Sequence, residues 1–464
     1  MKNLGIVITD GVGYRNFILS DFIQEATINF DKVVIFSCLP KTVYENLNFE
    51  VEIVELAVFK ETFKTWFFRK AKEVAHLQLH KQGNFGIQDN FNANKSTLKT
   101  NRGYATSFIY QLTALFHSEK WIQFYNQLQQ FSFKNHPITK QYQQLLKNHE
   151  VDLLFFTHQR PPYIAPLIYV AEKLNIKTTA FIFSWDNLAS KSRMAGNFNY
   201  YLVWSNLMKQ ELMQFYTAIK LENIAVVGTP QFEPFVQDKF GYDKNTLISK
   251  FKLDNQNPII LFTCNDSSSE NDPIYLDLLA NFIENKKLVK AVNLIVRTSP
   301  VEEPERFKTI SEKYPFIRWN YPDWTIKRKG HQEEWSQRVP SVADLNDLKS
   351  LLNYCDLNIN VLSTITLDSF LFDKPVINPV FGSCTNGMFD DQKFLNYQHL
   401  VNLVASNASE IVKNENEFLA AINRILEEKD HRSKERENFI QLQISKPLLN
   451  TSKRIAETLF HLHD

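Results

Sequence analysis

The sequence predicts an α/β protein made of two doubly wound domains that face each other across a cleft. In both halves of the chain, short apolar segments that end in polar or glycine residues alternate with helix-like segments, which is the pattern of parallel sheets wrapped by helices. The 464 residues exceed the size of a single hydrophobic core. The hydrophobic fraction of 44% and the charged fraction of 22% exclude a disordered chain.

Ten short apolar segments are predicted to be strands. They are 4–8, 32–37, 151–156, 178–183, 200–204 and 224–227 in the first half, and 259–263, 294–296, 357–361 and 375–378 in the second. A polar stretch follows Gly228-Thr229-Pro230, so we expect a first domain over 1–236 and a second over 237–444. Residues 445–464 are helix-like and are expected to cross back to the first domain.

Residues 60–150 interrupt the first half as a predicted helical insertion, with a polar loop over 83–103. Within it, 60–81 is both basic and aromatic, a composition that suits contact with an anionic membrane surface. The favoured alternative is a helix that packs its aromatic side chains inward and leaves a solvated basic face. Peripheral contact with the inner face of a membrane therefore stays open.

Charge and cysteine usage exclude several classes of protein. The formal net charge of +1 gives no support to a nucleic-acid partner. The four cysteines are far apart and form no CxxC pair, so neither a disulfide framework nor a zinc site is expected. The apolar run at 4–8 is too short for a signal peptide, and no run of about 18 apolar residues occurs, so we expect a cytoplasmic protein.

Three polar residues follow predicted strands of the first half, where ligands of parallel sheets bind. They are Asp10, His158 and Asp186. Asp10 opens a turn in which Gly11 and Gly13 permit close backbone approach and the next helix, which carries Arg15, begins. This turn is either an acceptor or phosphate site at a helix N-terminus, or a tight turn that Asp10 merely caps.

The second half has matching residues at its strand ends. Asn265 follows the strand at 259–263, and Arg297 and Ser299 follow the strand at 294–296. Ser363 and Thr364 open a helix directly after a strand, a position that suits a diphosphate, and Asp368 lies one turn later where it can accept hydrogen bonds from sugar hydroxyls. The alternative is that the two hydroxyls only cap the helix.

The segment 363–377 resembles the donor-binding half of GT-B glycosyltransferases, in which a Ser/Thr turn, a later acidic residue and a Lys-Pro-Val strand recur. Arg297-Thr298-Ser299-Pro300 is similar to the Arg-x-His-Pro turn of that group and of CDP-glycerol glycerophosphotransferases, with Ser299 in place of the histidine. Residues 184–188 and 226–230 resemble bacterial surface-carbohydrate glycosyltransferases. The resemblance covers most of the chain apart from 60–150 and about 320–340.

The resemblance implies a nucleotide-sugar donor and a glycan or lipid-linked acceptor in surface polysaccharide synthesis. Donor-binding residues would be Asn265, Arg297, Ser299, Ser363, Thr364 and Asp368. No Asp-x-Asp occurs, so transfer is expected to need no metal or cofactor, with the diphosphate neutralised by backbone N–H groups and Arg297. Asn360, eight residues before Asp368, is not a carboxylate, which favours inversion with one general base from the first domain.

Asp10, His158 and Asp186 compete for the role of base, with Asp10 first. Two other functions stay open, namely a polyol-phosphate transferase that uses CDP-glycerol or a relative, and a non-catalytic GT-B-like binding subunit. A hydrolysing sugar-nucleotide 2-epimerase is disfavoured because 60–150 looks like an acceptor-side insertion.

Overall fold

The computed structural model describes residues 2–45, 47 and 50–462. Its strands are β1 (Asn3–Ile8), β2 (Lys32–Ser37), β3 (Glu52–Glu55), β4 (Leu153–Phe156), β5 (Lys177–Phe181), β6 (Tyr200–Val203), β7 (Ile224–Val226), β8 (Ile259–Thr263), β9 (Asn293–Arg297), β10 (Arg318–Asn320), β11 (Trp324–Ile326), β12 (Arg338–Pro340), β13 (Leu357–Ile359), β14 (Val376–Pro379) and β15 (Glu410–Val412). Its helices are α1 (Gly11–Phe17), α2 (Phe22–Asn29), α3 (Phe63–His80), α4 (Phe85–Ala93), α5 (Asn101–Leu115), α6 (Glu119–Phe133), α7 (Pro137–Asn148), α8 (Ala165–Lys173), α9 (Asn187–Ser190), α10 (Asn206–Phe215), α11 (Lys244–Phe251), α12 (Asp272–Glu284), α13 (Lys308–Lys313), α14 (Val342–Tyr354), α15 (Ile365–Phe370), α16 (Gln398–Ser406), α17 (Glu415–Leu426), α18 (Ser433–Gln443) and α19 (Thr451–His461).

Two parallel sheets organise the chain, which confirms the predicted fold class. The first sheet has the order β3-β2-β1-β4-β5-β6-β7, and the second has the order β10-β9-β8-β13-β14-β15. The direction of winding reverses between β1 and β4 and again between β8 and β13. At such a reversal the loops beyond the carboxyl ends of the strands diverge and leave a crevice, where ligands of open α/β sheets bind.

The central strands form because they are apolar on both faces. Every residue of β1 and of β8 is buried, as expected for strands covered by helices on both sides. Phenylalanine fills the layer between sheet and helices. The ring of Phe17 lies 5.2 to 5.4 Å from those of Phe22, Phe155 and Phe181 in edge-to-face contacts.

All ten predicted strands occur, and five further strands were not predicted. Two of these, β11 and β12, form an antiparallel hairpin, and β3, β10 and β15 lie at sheet edges. Each has only three or four residues, and β3 is half-exposed. Strands this short carry too few residues for an apolar pattern to distinguish them from loops.

The insertion is helical, as predicted, and consists of α3 to α7. The predicted polar loop over 83–103 is partly wrong, because it contains α4. Asn84 caps this helix by accepting the backbone N–H of Ile87 at 2.9 Å, and Ile87 and Phe91 are buried on its inner face. The asparagines that indicate a loop in the sequence thus cap and border a short helix.

The C-terminal helix α19 returns to the first half and packs against α2. The rings of Phe460 and Phe30 lie 5.7 Å apart. Arg454 Nε donates to the carbonyl of Val227 at 2.7 Å, and the backbone N–H of Ser452 donates to Glu233 at 2.9 Å. None of the helices in the described part of the chain combines the length and the apolar character needed to cross a bilayer.

Candidate functional site

Asp10 and His158 form a buried pair at the reversal point of the first sheet. Asp10 follows β1, His158 follows β4, and these two strands are paired side by side. Asp10 Oδ2 lies 2.9 Å from His158 Nδ1 and accepts the hydroxyl of Thr9 at 2.8 Å. Asp10 Oδ1 accepts the backbone N–H of Gly13 at 2.8 Å, so this carboxylate also caps α1. Both oxygens are therefore engaged within the protein.

The other ring nitrogen of His158, Nε2, is not engaged by Asp10. The ring stacks on Phe183 with centroids 3.8 Å apart, and Nε2 is buried without a hydrogen-bond partner among the described residues. His158 lines a cavity of about 670 Å³, here called the basic cavity, between the helical insertion and residues 330–335 of the second half. When Nδ1–H donates to Asp10, Nε2 carries the lone pair and can accept a proton from a ligand.

Burial and pairing set the charges of the two residues. Burial alone would raise the pKa of Asp10, but the hydrogen bond and charge of His158, together with Gly13 and Thr9, lower it below its ordinary value. Burial lowers the pKa of His158, and Asp10 offsets only part of that change. At neutral pH the pair is thus an ionised carboxylate behind a neutral imidazole. The sequence ranks Asp10 first as base, whereas in this geometry His158 is the member of the pair that lines the cavity, and its Nε2 has no partner among the described residues.

A second cavity of about 180 Å³ lies between the two halves at the reversal point of the second sheet, and is called the cleft cavity. Its lining includes Arg15 and Gln231 from the first half and Arg297, Ser363, Thr364 and Asp368 from the second. Four of the predicted donor-binding residues therefore meet here, with Arg15 opposite them.

The turn before α15 is shaped by Asn360. Its Oδ1 accepts the backbone N–H of Ser363 at 2.9 Å and the hydroxyl of Thr366 at 3.0 Å. The hydroxyl of Thr364 accepts the indole N–H of Trp185 at 3.2 Å, so this residue also joins the two halves of the chain. Asn360 thus has a structural role at the position where a carboxylate was looked for in the sequence.

Arg15 and Asp368 influence each other across the cleft cavity. Burial raises the pKa of Asp368 to about 7, and the positive charge of Arg15 offsets part of that rise. Burial lowers the pKa of Arg15, and Asp368 offsets part of that change. Arg15 donates from Nε to Asn16 at 3.1 Å, while its two terminal nitrogens make no hydrogen bond within the described residues. Arg15 therefore presents unused donors to the cavity.

Arg297 is committed to partners inside the protein, which corrects its expected role as the main counter-charge of a diphosphate. Its Nη2 donates to both oxygens of Asp344 at 2.9 Å, and its Nη1 donates to Asn320. The side chain is almost fully buried. Because Asp344 balances its charge, Arg297 forms part of the wall of the cleft cavity and contributes little net positive charge to a ligand there.

Asn265 and Ser299 do not line the cleft cavity, contrary to the donor-binding role expected for them. The side-chain amide of Asn265 donates to the carbonyl of Val361 at 2.6 Å, which ties the end of β8 to the end of β13. Ser299 is buried, and its hydroxyl accepts the backbone N–H of Val301 at 3.4 Å. Both residues hold loops in place.

Gly11 and Gly13 do not form the open acceptor or phosphate turn expected for them, and the turn is instead the tight one that Asp10 caps, which was the alternative. A Cβ atom on Gly11 would lie 1.6 Å from the carbonyl oxygen of Arg338, so the glycine allows β12 to pack directly against α1. A Cβ atom on Gly13 would lie 2.8 Å from the hydroxyl of Thr157. The start of α1 is covered by protein, and of this turn only Arg15 reaches the cleft cavity.

Asp186 lines neither cavity. It forms an ion pair with Lys191 at 3.3 Å and accepts the side-chain amide of Asn187 at 3.0 Å. Burial alone would raise the pKa of Asp186, but the charges of Lys191 and His399 lower it well below its ordinary value. These contacts fit a residue that fixes its loop.

One short segment connects the two cavities. Phe183 stacks on His158, and two residues later Trp185 donates to Thr364. Two residues of extended chain span at most about 7 Å. The segment 183–185 therefore contacts a residue that lines each of the two cavities.

Arg160 and Glu333 are among the residues of the basic cavity that were missed in the sequence. Arg160 lies two positions after His158 in the loop that follows β4, so its position after a predicted strand could have identified it as a candidate. Glu333 lies in an irregular stretch of the second half, and only the fold brings it to this cavity. Burial raises the pKa of Glu333, with a smaller contribution from Asp10.

No group of three or more His, Cys, Asp or Glu side chains among the described residues is arranged to hold a metal ion. The cations that face the cleft cavity are Arg15 and Arg297.

No protein-family model and no curated protein matches the chain. Solved structures do match it over nearly its whole length. A glycosyltransferase from Rickettsia africae is 12% identical with a TM-score of 0.52, and the match covers 100% of this chain and 98% of that one.

The matched structures also include epimerases. A putative UDP-N-acetylglucosamine 2-epimerase from Listeria monocytogenes is 9% identical with a TM-score of 0.54, covering 98% of this chain and 95% of that one. A UDP-GlcNAc 2-epimerase from Neisseria meningitidis, solved with UDP-GlcNAc bound, is 12% identical with a TM-score of 0.51, covering 99% and 100%. At such identities the likeness shows the fold alone. The chain therefore has the GT-B fold, with two Rossmann-like halves that face a cleft.

Proposed function

We propose that the protein is a glycosyltransferase that moves a sugar from a nucleotide-sugar donor to a glycan or lipid-linked acceptor, with inversion and without a metal. The observation that carries this proposal is the Asp10–His158 pair, in which the imidazole lines a cavity, its buried Nε2 has no partner among the described residues, and an ionised carboxylate stands behind the ring. A base oriented by a carboxylate is the arrangement that activates a hydroxyl group.

The donor is assigned to the cleft cavity. The unused terminal N–H groups of Arg15 would bind the diphosphate, next to Ser363 and Thr364, and Asp368 would accept hydrogen bonds from donor hydroxyls. The bound UDP-GlcNAc named for the Neisseria meningitidis epimerase supports a nucleotide diphosphate as the ligand class of this fold.

The reaction follows from these positions. His158 Nε2 accepts the proton of the acceptor hydroxyl while the hydroxyl oxygen forms its bond to the anomeric carbon. The bond from that carbon to the donor diphosphate breaks, and its electron pair leaves on the diphosphate. Attack from the face opposite the leaving group inverts the anomeric configuration. Asp10 stabilises the imidazolium that results, and Arg15 stabilises the charge on the diphosphate.

The acceptor is proposed to be linked to an anionic membrane, which an exposed face of the insertion would contact. Leu98, Tyr104, Phe108 and Leu115 are each more than half exposed. Residues 90–118 contain Lys95, Lys99 and Arg102, all exposed, and no acidic residue. Apolar side chains interspersed with cations along one segment complement anionic lipid headgroups. Residues of this region, including Arg102, also line the basic cavity.

A thermal-shift screen with UDP-, GDP-, CDP- and CMP-sugars tests the proposal. We expect one nucleotide sugar to raise the unfolding temperature and then to be consumed when a crude glycolipid extract is added, in EDTA, with an inverted product by NMR. Conversion of UDP-GlcNAc to its 2-epimer in the absence of an acceptor would show that the protein is an epimerase and not a glycosyltransferase. Transfer of phosphate together with a polyol from a CDP donor would indicate a polyol-phosphate transferase. Binding without turnover would indicate a non-catalytic subunit.

A further inference from the structure

The basic cavity has more positive than negative side chains on its walls. The cations are Lys60, Arg69, Lys70, Arg102, Arg160 and Arg193. The acids that line it are only Glu61, Glu73 and Glu333. A concave site with an excess of cations raises the local concentration of anionic ligands.

Some of this charge is already used inside the protein. Arg69 forms hydrogen-bonded ion pairs with Glu61 at 2.7 and 2.8 Å and with Glu73 at 2.8 Å. Arg193 binds both oxygens of Glu119 at 2.5 and 2.9 Å. These two arginines hold the insertion together and are not free to bind a ligand.

Arg160 is different, because its charge has no carboxylate partner. The single hydrogen bond of its guanidinium group runs from Nη2 to the hydroxyl of Ser192 at 3.5 Å, the outer limit for such a bond. Its Nε is buried and has no partner within the described residues. A buried donor without a partner costs about 1–3 kcal/mol, which a ligand that supplies an acceptor atom would recover.

Two further cations that line the cavity, Arg102 and Lys60, are exposed to solvent. Arg102 lies over the ring of Trp66 at 5.3 Å and makes no ion pair within the described residues. Lys60 is exposed at the rim. His158, whose Nε2 is also unpartnered, lies two residues before Arg160 on the same wall.

We propose that the basic cavity binds an acceptor that carries an anionic group, a phosphate or a carboxylate, which Arg160 and Arg102 hold while a hydroxyl of the same acceptor meets His158. This inference rests on the proposed glycosyl transfer and names the class of its acceptor. Arg160 positions the acceptor through its anion and leaves the proton transfer to His158. The carboxyl group of Glu333 lines the same cavity and makes no ion pair within the described residues. It would disfavour an anion bound next to it rather than next to Arg160.

Binding of small probes to the full-length protein tests the inference without any turnover. Decyl phosphate, glucuronate and neutral decyl glucoside are titrated by calorimetry. We expect at least one anionic probe to bind tenfold or more tightly than decyl glucoside. Preference for decyl phosphate would assign the anion to a lipid carrier, and preference for glucuronate would assign it to an acidic sugar. Equal affinity for all three probes would overturn the inference.

Variants locate the anion. Arg160→Gln and the exposed Arg102→Gln should each weaken binding of the anionic probe by about 10- to 100-fold, the loss expected for a charge-assisted hydrogen bond. Lys64→Gln removes an equal charge outside the cavity and should leave affinity within twofold. Glu333→Gln should strengthen it. Unchanged affinity in both arginine variants would overturn the inference.

Failure of this inference is distinguishable from failure of the proposed function. Nucleotide-sugar binding at the cleft cavity is measured separately and should be the same in Arg102→Gln and the unaltered protein. If the protein binds the donor but transfers sugar only to neutral acceptors, the anionic acceptor is ruled out and the proposed glycosyl transfer stands. If the anionic probe binds tightly at Arg160 but no nucleotide sugar binds, the proposed glycosyl transfer is ruled out and the anion-binding site stands.

Discussion

His158 Nδ1 lies 2.9 Å from Asp10 Oδ2, although the two residues are 148 positions apart in the chain. The pair forms because β1 and β4 are neighbours in the first sheet, so the loops at their carboxyl ends meet. The carboxylate is enclosed by Thr9 and Gly13, and the imidazole alone faces the basic cavity. Substitution of His158 should therefore affect proton transfer, and substitution of Asp10 should affect the tautomer and orientation of the imidazole.

The first prediction concerns this pair. His158→Gln should reduce turnover by about 10²–10⁴-fold because it removes the base, while donor affinity stays within a few fold. Asp10→Asn keeps the cap on α1 but no longer favours the tautomer with its lone pair on Nε2, so turnover should fall and its pH dependence should change. Steady-state kinetics over pH 5 to 9 with parallel donor titrations measure both effects. Asp186→Asn is the control, and a loss of turnover there with none in His158→Gln would reassign the base.

The second prediction separates the two arginines of the cleft cavity. Arg15→Gln should weaken nucleotide-sugar binding by roughly 10- to 150-fold, because a charge-assisted hydrogen bond is worth about 1.5–3 kcal/mol. Its unfolding free energy should change little, since Arg15 has only one internal hydrogen bond. Arg297→Gln should instead cost about 3–5 kcal/mol of stability, because it leaves Asp344 buried without its partner. Donor titration and urea unfolding measure the two effects, and normal donor affinity in Arg15→Gln would contradict the assignment.

The third prediction follows from Asp368. Burial raises its pKa from 3.8 to about 7, so the folded protein retains a proton that the unfolded chain releases. The stability associated with this carboxyl group is complete below pH 3.8 and is lost as the pH rises through 7. Asp368→Asn should therefore unfold with a higher free energy at pH 8, by up to about 4 kcal/mol, and with nearly the same free energy at pH 4.

Urea unfolding at pH 4, 5.5 and 8 measures this difference. Asp344→Asn is the matched control, since it removes a carboxylate that is paired with Arg297 and should lose stability at pH 8. The same variant pair also tests the site, because Asp368→Asn should weaken donor binding even though it stabilises the fold. A lower stability of Asp368→Asn at pH 8 would show that folding does not raise the pKa of this carboxyl group.

The fourth prediction concerns the contact between α1 and β12. Gly11→Ala would place a Cβ atom 1.6 Å from the backbone carbonyl of Arg338, so the two elements must move apart. We expect a loss of about 1–3 kcal/mol, as for overpacking elsewhere, together with weaker donor binding in the adjacent cleft cavity. Gly13→Ala meets a hydroxyl at 2.8 Å, which can rotate away, and should lose less. Thermal unfolding compares the two, and an equal loss would contradict the proposed difference.

The fifth prediction concerns the exposed face of the insertion. The protein should bind vesicles that contain anionic lipid, should bind neutral vesicles less, and should dissociate as salt is raised. Lys99→Gln should weaken binding by about fivefold, since a cation near an anionic surface contributes about 1 kcal/mol. Phe108→Ser should weaken it further, whereas Tyr321→Ser, an equally exposed aromatic residue in the second half, should not. Vesicle sedimentation measures all three, and equal binding to neutral vesicles would contradict the electrostatic part.

The architecture was accessible from the sequence because its signals are local. An apolar run of four to six residues followed by a polar residue identifies a buried parallel strand and the place where it ends. Residues at those ends, such as Asp10, His158 and Ser363, were therefore identified as candidates without any knowledge of contacts. The short edge strand β3 and the helix α4 were missed because their patterns are brief and mostly polar.

The roles of the same residues were decided only by the tertiary structure. Arg297 is neutralised by Asp344, 47 positions later, and Gly11 is covered by the carbonyl of Arg338. Arg160 forms no ion pair with a carboxylate of the described residues, and its guanidinium group makes one long hydrogen bond, to Ser192. A strand-end position places a residue near the crevice. Whether its side chain lines a cavity, and which groups form hydrogen bonds with it, depends on distant parts of the chain. Those partners are selected by how the two sheets and the insertion pack, which no local pattern encodes.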